Sequence, residues 1–183
     1  MFNTVSSLAA WLLAVVLALA LAFASPTESN VMGRFGPFES QSLTNQSVRV
    51  PDGLPHERTL ALVTFKRDHW EQAESWIRGM DLRNDPSIFW LRMALINDPG
   101  TGPGRHEIKE RLLGYYPKEA ERARLVPAFV DRPTYTRLAG LSNPTKAYAV
   151  VLNRRGDVLA RAEGAYSPEK ARVLLETLRD SDQ

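Results

Sequence analysis

The 183-residue chain contains no cysteine. A thiolate is therefore unavailable as a nucleophile or a metal ligand, which excludes thiol catalysis, iron–sulfur clusters and thiolate zinc sites. Lipid attachment through cysteine is excluded for the same reason. Disulfides are absent too, although a domain of this size can build a core without them.

Excess charge of either sign is also scarce. The chain has 23 basic and 21 acidic residues, for a formal net charge of +2. The two signs are interspersed, so nothing in the charge pattern predicts nucleic-acid binding. The small basic excess allows only weak, salt-sensitive attraction to anionic partners.

Metal-binding and catalytic motifs are missing as well. The histidines are His56, His69 and His106, and their scattered positions do not supply the three or four ligands that zinc needs. No GxSxG motif is present. The glycine-rich stretch 98–107, DPGTGPGRHE, fits neither phosphate-loop pattern and is interpreted as a flexible connection, although Arg105 could meet an anion at the start of the following helix. We therefore predict no catalytic residue, metal or cofactor.

The N-terminus carries the one long apolar run, Leu8 to Phe23, and the first charged side chain of the chain is Glu28. Ala22-Phe23-Ala24 has the small-x-small pattern of a cleavage site. Residues 1–24 are therefore predicted to be a signal peptide, or alternatively a retained membrane anchor. Both interpretations place the domain outside the cytoplasm, in the periplasm or an equivalent compartment. An anchor would hold it at the inner membrane, and membrane contact is expected only in that case.

Residues 25–57 are rich in small and polar residues and predict an irregular linker, with a short strand at 47–50. Residues 58–183 form the predicted domain. Its strands are expected at 59–65, 87–96, 125–130, 146–152 and 158–164. Helix remains open as an alternative for 87–96, and Pro127 favours an edge position for 125–130. Helices are expected from Asp68, at 105–116, at 134–141 and after Ser167, the first with an Asp68/Glu71 capping box.

The resulting order, β-α-β-α-β-α-β-β-α, resembles that of the thioredoxin-like superfamily. The stretch AYAVVLNRRGDVLARAEG, residues 147–164, is similar to the strand–turn–strand of its peroxiredoxin-like and thiol-reductase-like members. The stretch TFKRDHWEQAESW, residues 64–76, resembles the ATP-synthase assembly factors of this fold. The resemblance covers roughly residues 58–179. It implies an α/β three-layer sandwich with a central mixed sheet of four to five strands flanked by helices.

The resemblance also implies where a redox site would lie. The Cys-x-x-Cys positions of the superfamily fall at Trp70 and Ala73, and the position of its cis-proline falls at Ala147, with Pro144 three residues earlier. Because no thiol can form, we predict neither thiol-disulfide oxidoreductase nor peroxidase activity.

These features predict a redox-inactive domain that binds a protein partner, as an assembly or quality-control factor. The candidate binding residues follow the first strand or lie opposite it: Lys66, Arg67, His69, Trp70, Asn143, Pro144, Thr145 and Lys146. Ligands of open α/β sheets gather at the carboxyl ends of strands, which is where these residues are expected. Two alternatives stay open: a thiol-independent enzyme or small-molecule binder using His69, Glu71 and Arg67, and a membrane-anchored structural module.

Overall fold

The computed structural model describes residues 31–179. The predicted signal peptide or anchor, residues 1–24, lies outside these described residues. Within 31–179 no helix is long and apolar enough to cross a membrane. The strands are β1 (Phe38–Gln41), β2 (Ser47–Val50), β3 (Arg58–Thr64), β4 (Trp90–Asn97), β5 (Leu125–Val130), β6 (Tyr148–Asn153) and β7 (Val158–Glu163). The helices are α1 (Trp70–Gly79), α2 (Gly102–Tyr115), α3 (Glu119–Arg124), α4 (Arg132–Leu138) and α5 (Pro168–Arg179), and a 3₁₀ turn (Arg67–His69) precedes α1.

Five strands form a mixed sheet in the order β5-β4-β3-β6-β7. Strands β3, β4 and β5 are parallel, whereas β6 is antiparallel to both β3 and β7. The predicted α/β class with a mixed sheet is confirmed. Residues 90–97 are a strand, which resolves the open choice for 87–96. Strand β5 lies at an edge of this sheet, as predicted from Pro127, whose ring removes a backbone donor.

Helices cover both faces of the sheet. On one face, Trp76 and Ile77 of α1 and Leu174 of α5 belong to a single buried cluster. On the other face, Tyr135 of α4 packs in a cluster that includes Phe35. Strand β3 is buried on both sides, which explains its continuous apolar sequence. The result is the predicted three-layer sandwich.

The short strand predicted at 47–50 is confirmed as β2, whereas the rest of residues 31–57, the described part of the predicted linker, differs from the prediction. Strands β1 and β2 pair as an antiparallel hairpin. Phe35 and Val50 are 1% and 0% exposed and belong to the core. A linker prediction relies on low local hydrophobicity, whereas here a few separated apolar residues are enough to dock the segment.

Three helices begin at residues other than those predicted, because the contacts of their first turns set where each helix starts. Asp68 makes no capping hydrogen bond, because a 3₁₀ turn shifts the start of α1 to Trp70. Thr101 caps α2, which begins at Gly102 instead of Arg105. The side chain of Asp131 caps α4, whose bounds are 132–138 instead of 134–141. The short helix α3 was not predicted.

Candidate functional site

The candidate residues meet at the carboxyl edge of the parallel strands. Val63, at the end of β3, pairs with Tyr148, at the start of β6. The turn that follows β3 and the loop that precedes β6 are therefore neighbours. The structure thus brings the two predicted groups of residues, 66–70 and 143–146, to one place.

His69 lies between these groups, but it points inward. His69 is only 1% exposed. The backbone N–H of Phe65 donates to its Nδ1 at 3.3 Å, so Nε2 carries the proton and donates to the carbonyl of Thr145 at 3.0 Å. The imidazole therefore joins the end of β3 to the loop before β6. The prediction of His69 as an exposed contact residue is corrected, because both ring nitrogens are engaged within the fold.

Burial lowers the pKa of the His69 imidazole, and the charge of Asp68 and the hydrogen bond to Thr145 oppose this shift only in part. The neutral imidazole is therefore the form that these two hydrogen bonds require. Protonation would place a hydrogen on Nδ1, where the Phe65 N–H already points. The ring is accordingly a poor general base, which removes it from the alternative His69/Glu71/Arg67 cluster.

A second link was not predicted from the sequence. The N–H of Ala147 donates to Oε1 of Gln72 at 2.9 Å. Gln72 lies three residues after His69, so one face of the first turn of α1 contacts the loop twice. Ala147 holds the position where the resemblance places a cis-proline. Its N–H, which a proline would lack, is used to attach the loop to α1.

The loop 143–146 is ordered by its own polar contacts. Asn143 Nδ2 donates to Glu163 Oε1 at 2.7 Å, and Thr145 Oγ1 donates to Asn143 Oδ1 at 2.5 Å. Lys146 Nζ lies 3.3 Å from the same Glu163 oxygen. The side chains of Pro144, Thr145 and Lys146 remain exposed beside the His69 contact.

Trp70 begins α1 and is 43% exposed, whereas Ala73 is 1% exposed. The other tryptophans of this region, Trp76 and Trp90, are buried as predicted. Lys66 and Arg67 are exposed, and the Arg67 guanidinium lies 4.1 Å from the ring centroid of Tyr115, at the end of α2. This contact joins the turn after β3 to the helix that follows β4.

A cleft of about 930 Å³ opens beside this turn, between α1 and the C-terminal half of α2. Half-buried Ala94 and Ile96 of β4 lie on its floor. Its lining residues are Thr64, Phe65, Lys66, Arg67, Asp68, Trp70, Glu71, Ala94, Leu95, Ile96, Leu112, Gly114, Tyr115 and Tyr116. Tyr115 and Tyr116 were not predicted from the sequence, since their role depends on the placement of α2 over β4. Two adjacent tyrosines at the end of a weakly amphipathic helix were the available clue.

Buried charges lie beyond Tyr116. Glu74 of α1 forms an ion pair with Arg92 of β4, and its Oε1 lies 2.8 Å from Arg83 Nη1. Burial alone would raise the pKa of Glu74, but the hydrogen bonds and charges of Arg83 and Arg92 outweigh it and hold that pKa below its usual value. Burial raises the pKa of the Tyr116 phenol, and this shift is opposed by the charge of Arg92 and by a hydrogen bond with the Arg92 side chain.

No group of acidic and histidine side chains among residues 31–179 is arranged to hold a metal ion. With His69 turned inward, Glu71 and Arg67 do not form a catalytic cluster with it. The exposed surface therefore consists of Lys66, Arg67, Trp70, Tyr115 and the loop 143–146. Its aromatic and cationic groups can contact a partner without any chemical step.

No protein-family model matches the chain, and no curated protein matches its sequence. Solved structures do match. BsSco, a member of the Sco family of cytochrome c oxidase assembly proteins, is 12% identical with a TM-score of 0.53, over 81% of this chain and 93% of its own. The exposed lipoprotein thioredoxin Etrx1 of Streptococcus pneumoniae is 11% identical with a TM-score of 0.51, over 79% and 99%. A candidate electron transfer protein of Aquifex aeolicus is 12% identical with a TM-score of 0.55, over 81% and 93%. The fold is therefore thioredoxin-like, as the element order predicted, in a chain without cysteine.

Proposed function

We propose that this thioredoxin-like domain is an exported, redox-inactive module that binds a protein partner. The exposure of Trp70 carries the proposal. Its side chain is 43% exposed at the start of α1, where the resemblance places the first redox cysteine. An exposed tryptophan is a frequent centre of binding energy in protein interfaces, as is arginine, and Arg67 lies in the same turn.

The backbone under this surface is held in place. His69 joins the turn to Thr145, and Gln72 joins the first turn of α1 to Ala147. A surface whose backbone is already ordered loses less conformational entropy when a partner binds. These contacts support binding by Lys66, Arg67, Trp70 and the loop 143–146 as one surface.

The redox-inactive part of the proposal follows from composition. With no cysteine in the chain, neither a mixed disulfide nor a sulfenic acid can form on it. Trp70 and Ala73 stand at the two cysteine positions implied by the resemblance. In thiol-exchanging proteins of this fold, the surface around the cysteines holds the partner protein during the reaction. In this chain the same surface would serve binding alone.

The proposal of export rests on the apolar run Leu8 to Phe23 and the Ala22-Phe23-Ala24 site. The match to an exposed lipoprotein, and to an assembly protein, is in keeping with an extracytoplasmic binding role. Mass measurement of the native N-terminus tests this part. A chain beginning at Ser25 supports cleavage, a chain retaining Met1 in the membrane supports the anchor, and a chain retaining it in the cytoplasm contradicts both.

Site-specific photo-cross-linking in the native host tests the binding surface. A photoreactive amino acid would replace Trp70 in one variant and Val173 in another, since these side chains are 43% and 44% exposed. We expect one dominant protein adduct from position 70 and none from position 173. Adding Lys66→Ala and Arg67→Ala to the position-70 variant should reduce the yield of that adduct. The same adduct from both positions, or none from position 70, would contradict the proposal.

A further inference from the structure

The cleft between α1 and α2 has an uncovered apolar floor. Ala94 and Ile96 lie on the same face of the sheet as α1, but α1 does not cover them completely and both remain half-buried. Helix α2 has fourteen residues, none of them buried. Its apolar side chains at Ile108, Leu112 and Leu113 are only half-buried. Most surface helices bury an apolar stripe, so α2 leaves room over β4 for another apolar group.

A cationic side chain with one unsatisfied donor, Arg92, lies near the cleft but does not line it. Arg92 precedes Ala94 by two residues and therefore lies on the same face of β4. Its side chain is 3% exposed, and its Nη2 pairs with Glu74. Its Nη1 is buried without a hydrogen-bond partner among the described residues. A buried donor left without an acceptor is destabilising, so an added acceptor would be favourable there.

Tyr116 separates this donor from the cleft. Its ring lines the cleft, and the Arg92 guanidinium lies 5.8 Å from the ring centroid. Arg83, which also bonds Glu74, lies 3.5 Å from Glu121 of α3 and so connects α1 with α3 beyond this point. A cleft of about 930 Å³ has the size of a small-molecule site.

We infer that the cleft binds a small organic acid whose body is apolar, either an aromatic ring or an aliphatic chain of medium length. The body lies over Ala94 and Ile96, and the carboxylate accepts a hydrogen bond from Arg92 Nη1 once the Tyr116 ring moves aside. A charge-assisted bond to arginine gives the site its preference for an acid over a neutral analogue. This binding goes beyond the proposed function and does not depend on it. Lys66, Arg67 and Trp70 line the same cleft, but the contacts assigned to the acid are with Ala94, Ile96 and Arg92.

Titration of the ¹⁵N-labelled full chain with 4-phenylbutyrate and 4-phenylbutanamide, followed by NMR, tests the inference. The two probes differ only in the carboxylate. We expect saturable shifts at the amides of Ala94 and Ile96 and at the Arg92 guanidinium. The amide probe should bind at least about tenfold more weakly, because it cannot form the charge-assisted bond. Equal affinities, shifts confined to other surfaces, or no shift with the acid would overturn the inference.

Two variants locate the site independently. Ala94→Phe places a ring on the cleft floor and should abolish binding of both probes, while the exposed-surface control Leu138→Phe should bind as the unaltered chain does. Arg92→Lys keeps a charge for Glu74 but lacks the second guanidinium arm, so it should retain binding and lose the preference for the acid. Unchanged binding by folded Ala94→Phe would overturn the assignment. If either variant fails to fold, the comparison of the two probes on the unaltered chain still decides.

Discussion

Replacement of His69 by alanine should destabilise the domain and change its response to pH. The imidazole is 1% exposed and accepts from the Phe65 N–H while donating to the Thr145 carbonyl. Its loss leaves the Phe65 N–H, in a buried residue, without an acceptor, which costs about 1–3 kcal/mol. The Thr145 carbonyl belongs to an exposed residue and can turn to water. With the cavity left by the ring, we expect a loss of about 2–4 kcal/mol in the free energy of unfolding near neutral pH.

The pH dependence follows from the direction of the pKa shift. Burial lowers the pKa of His69 in the folded protein below its ordinary value of 6.5. The folded state therefore binds this proton less readily than the unfolded state. The contribution of neutral His69 is complete above pH 6.5 and is lost as the pH falls through the lower folded-state pKa. One proton limits the slope to about 1.4 kcal/mol per pH unit.

Urea unfolding from pH 7.5 down to pH 5 measures both effects. The unaltered chain should be more stable than His69→Ala at pH 7.5, and the difference should narrow as the solution becomes acidic. His106→Ala, at an exposed position of α2, is the matched control and should follow the unaltered chain throughout. A constant difference between His69→Ala and the unaltered chain across this range would refute the reasoning about protonation. Stability of His69→Ala within about 0.5 kcal/mol of the unaltered chain at pH 7.5 would refute the structural role itself.

Three further substitutions have defined outcomes in the same unfolding assay. Glu74→Ala should cost about 3–5 kcal/mol, because it leaves buried Arg92 without its carboxylate partner; a loss below 1 kcal/mol would show that water reaches this pair. Asp68→Ala should leave stability nearly unchanged, since Asp68 caps nothing, whereas Asp131→Ala should cost about 1 kcal/mol by removing the cap on Thr134; equal losses would contradict the observed helix starts. The double change Lys66→Ala with Arg67→Ala should cost no more than about 1 kcal/mol, mainly the contact of Arg67 with Tyr115, while reducing cross-linking from position 70. Unchanged cross-linking by this double variant would leave the turn as an ordinary solvated connection.

The location of the candidate site could be predicted, but the direction of its side chains could not. Residues 66–70 follow a buried strand, and a strand end in an open α/β sheet is a reliable place to look for contacts. Trp70 was recognised as the tryptophan at the rim, and it is the exposed one. His69 was placed on the same surface, but its partner is the carbonyl of Thr145, 76 residues away. No local pattern carries information about a contact of that separation.

The cleft depended still more on tertiary placement. Arg92 was predicted within a strand, and a lone arginine in a strand is ordinarily assigned to solvent. It is buried because Glu74, eighteen residues earlier, lies on the helix that crosses over it. Tyr115 and Tyr116 become lining residues only because α2 sits over β4 without burying a side chain. Each of these features results from the packing of two secondary-structure elements against each other. It cannot be predicted from the sequence of either element alone.

The sequence by itself determined the features that depend on local period and on composition. The continuous apolar run of β3 requires a strand covered on both faces, Pro127 requires an edge, and the turn containing Gly156, with φ of +84°, requires a residue without a side chain. The lack of cysteine excludes thiol chemistry in any fold. Tertiary structure alone decided that residues 31–57 dock on the core, that His69 turns inward and that an unpaired arginine arm lies behind Tyr116. The physical reason is that burial and hydrogen bonding between distant segments depend on the whole packed arrangement, while period and composition depend only on neighbours along the chain.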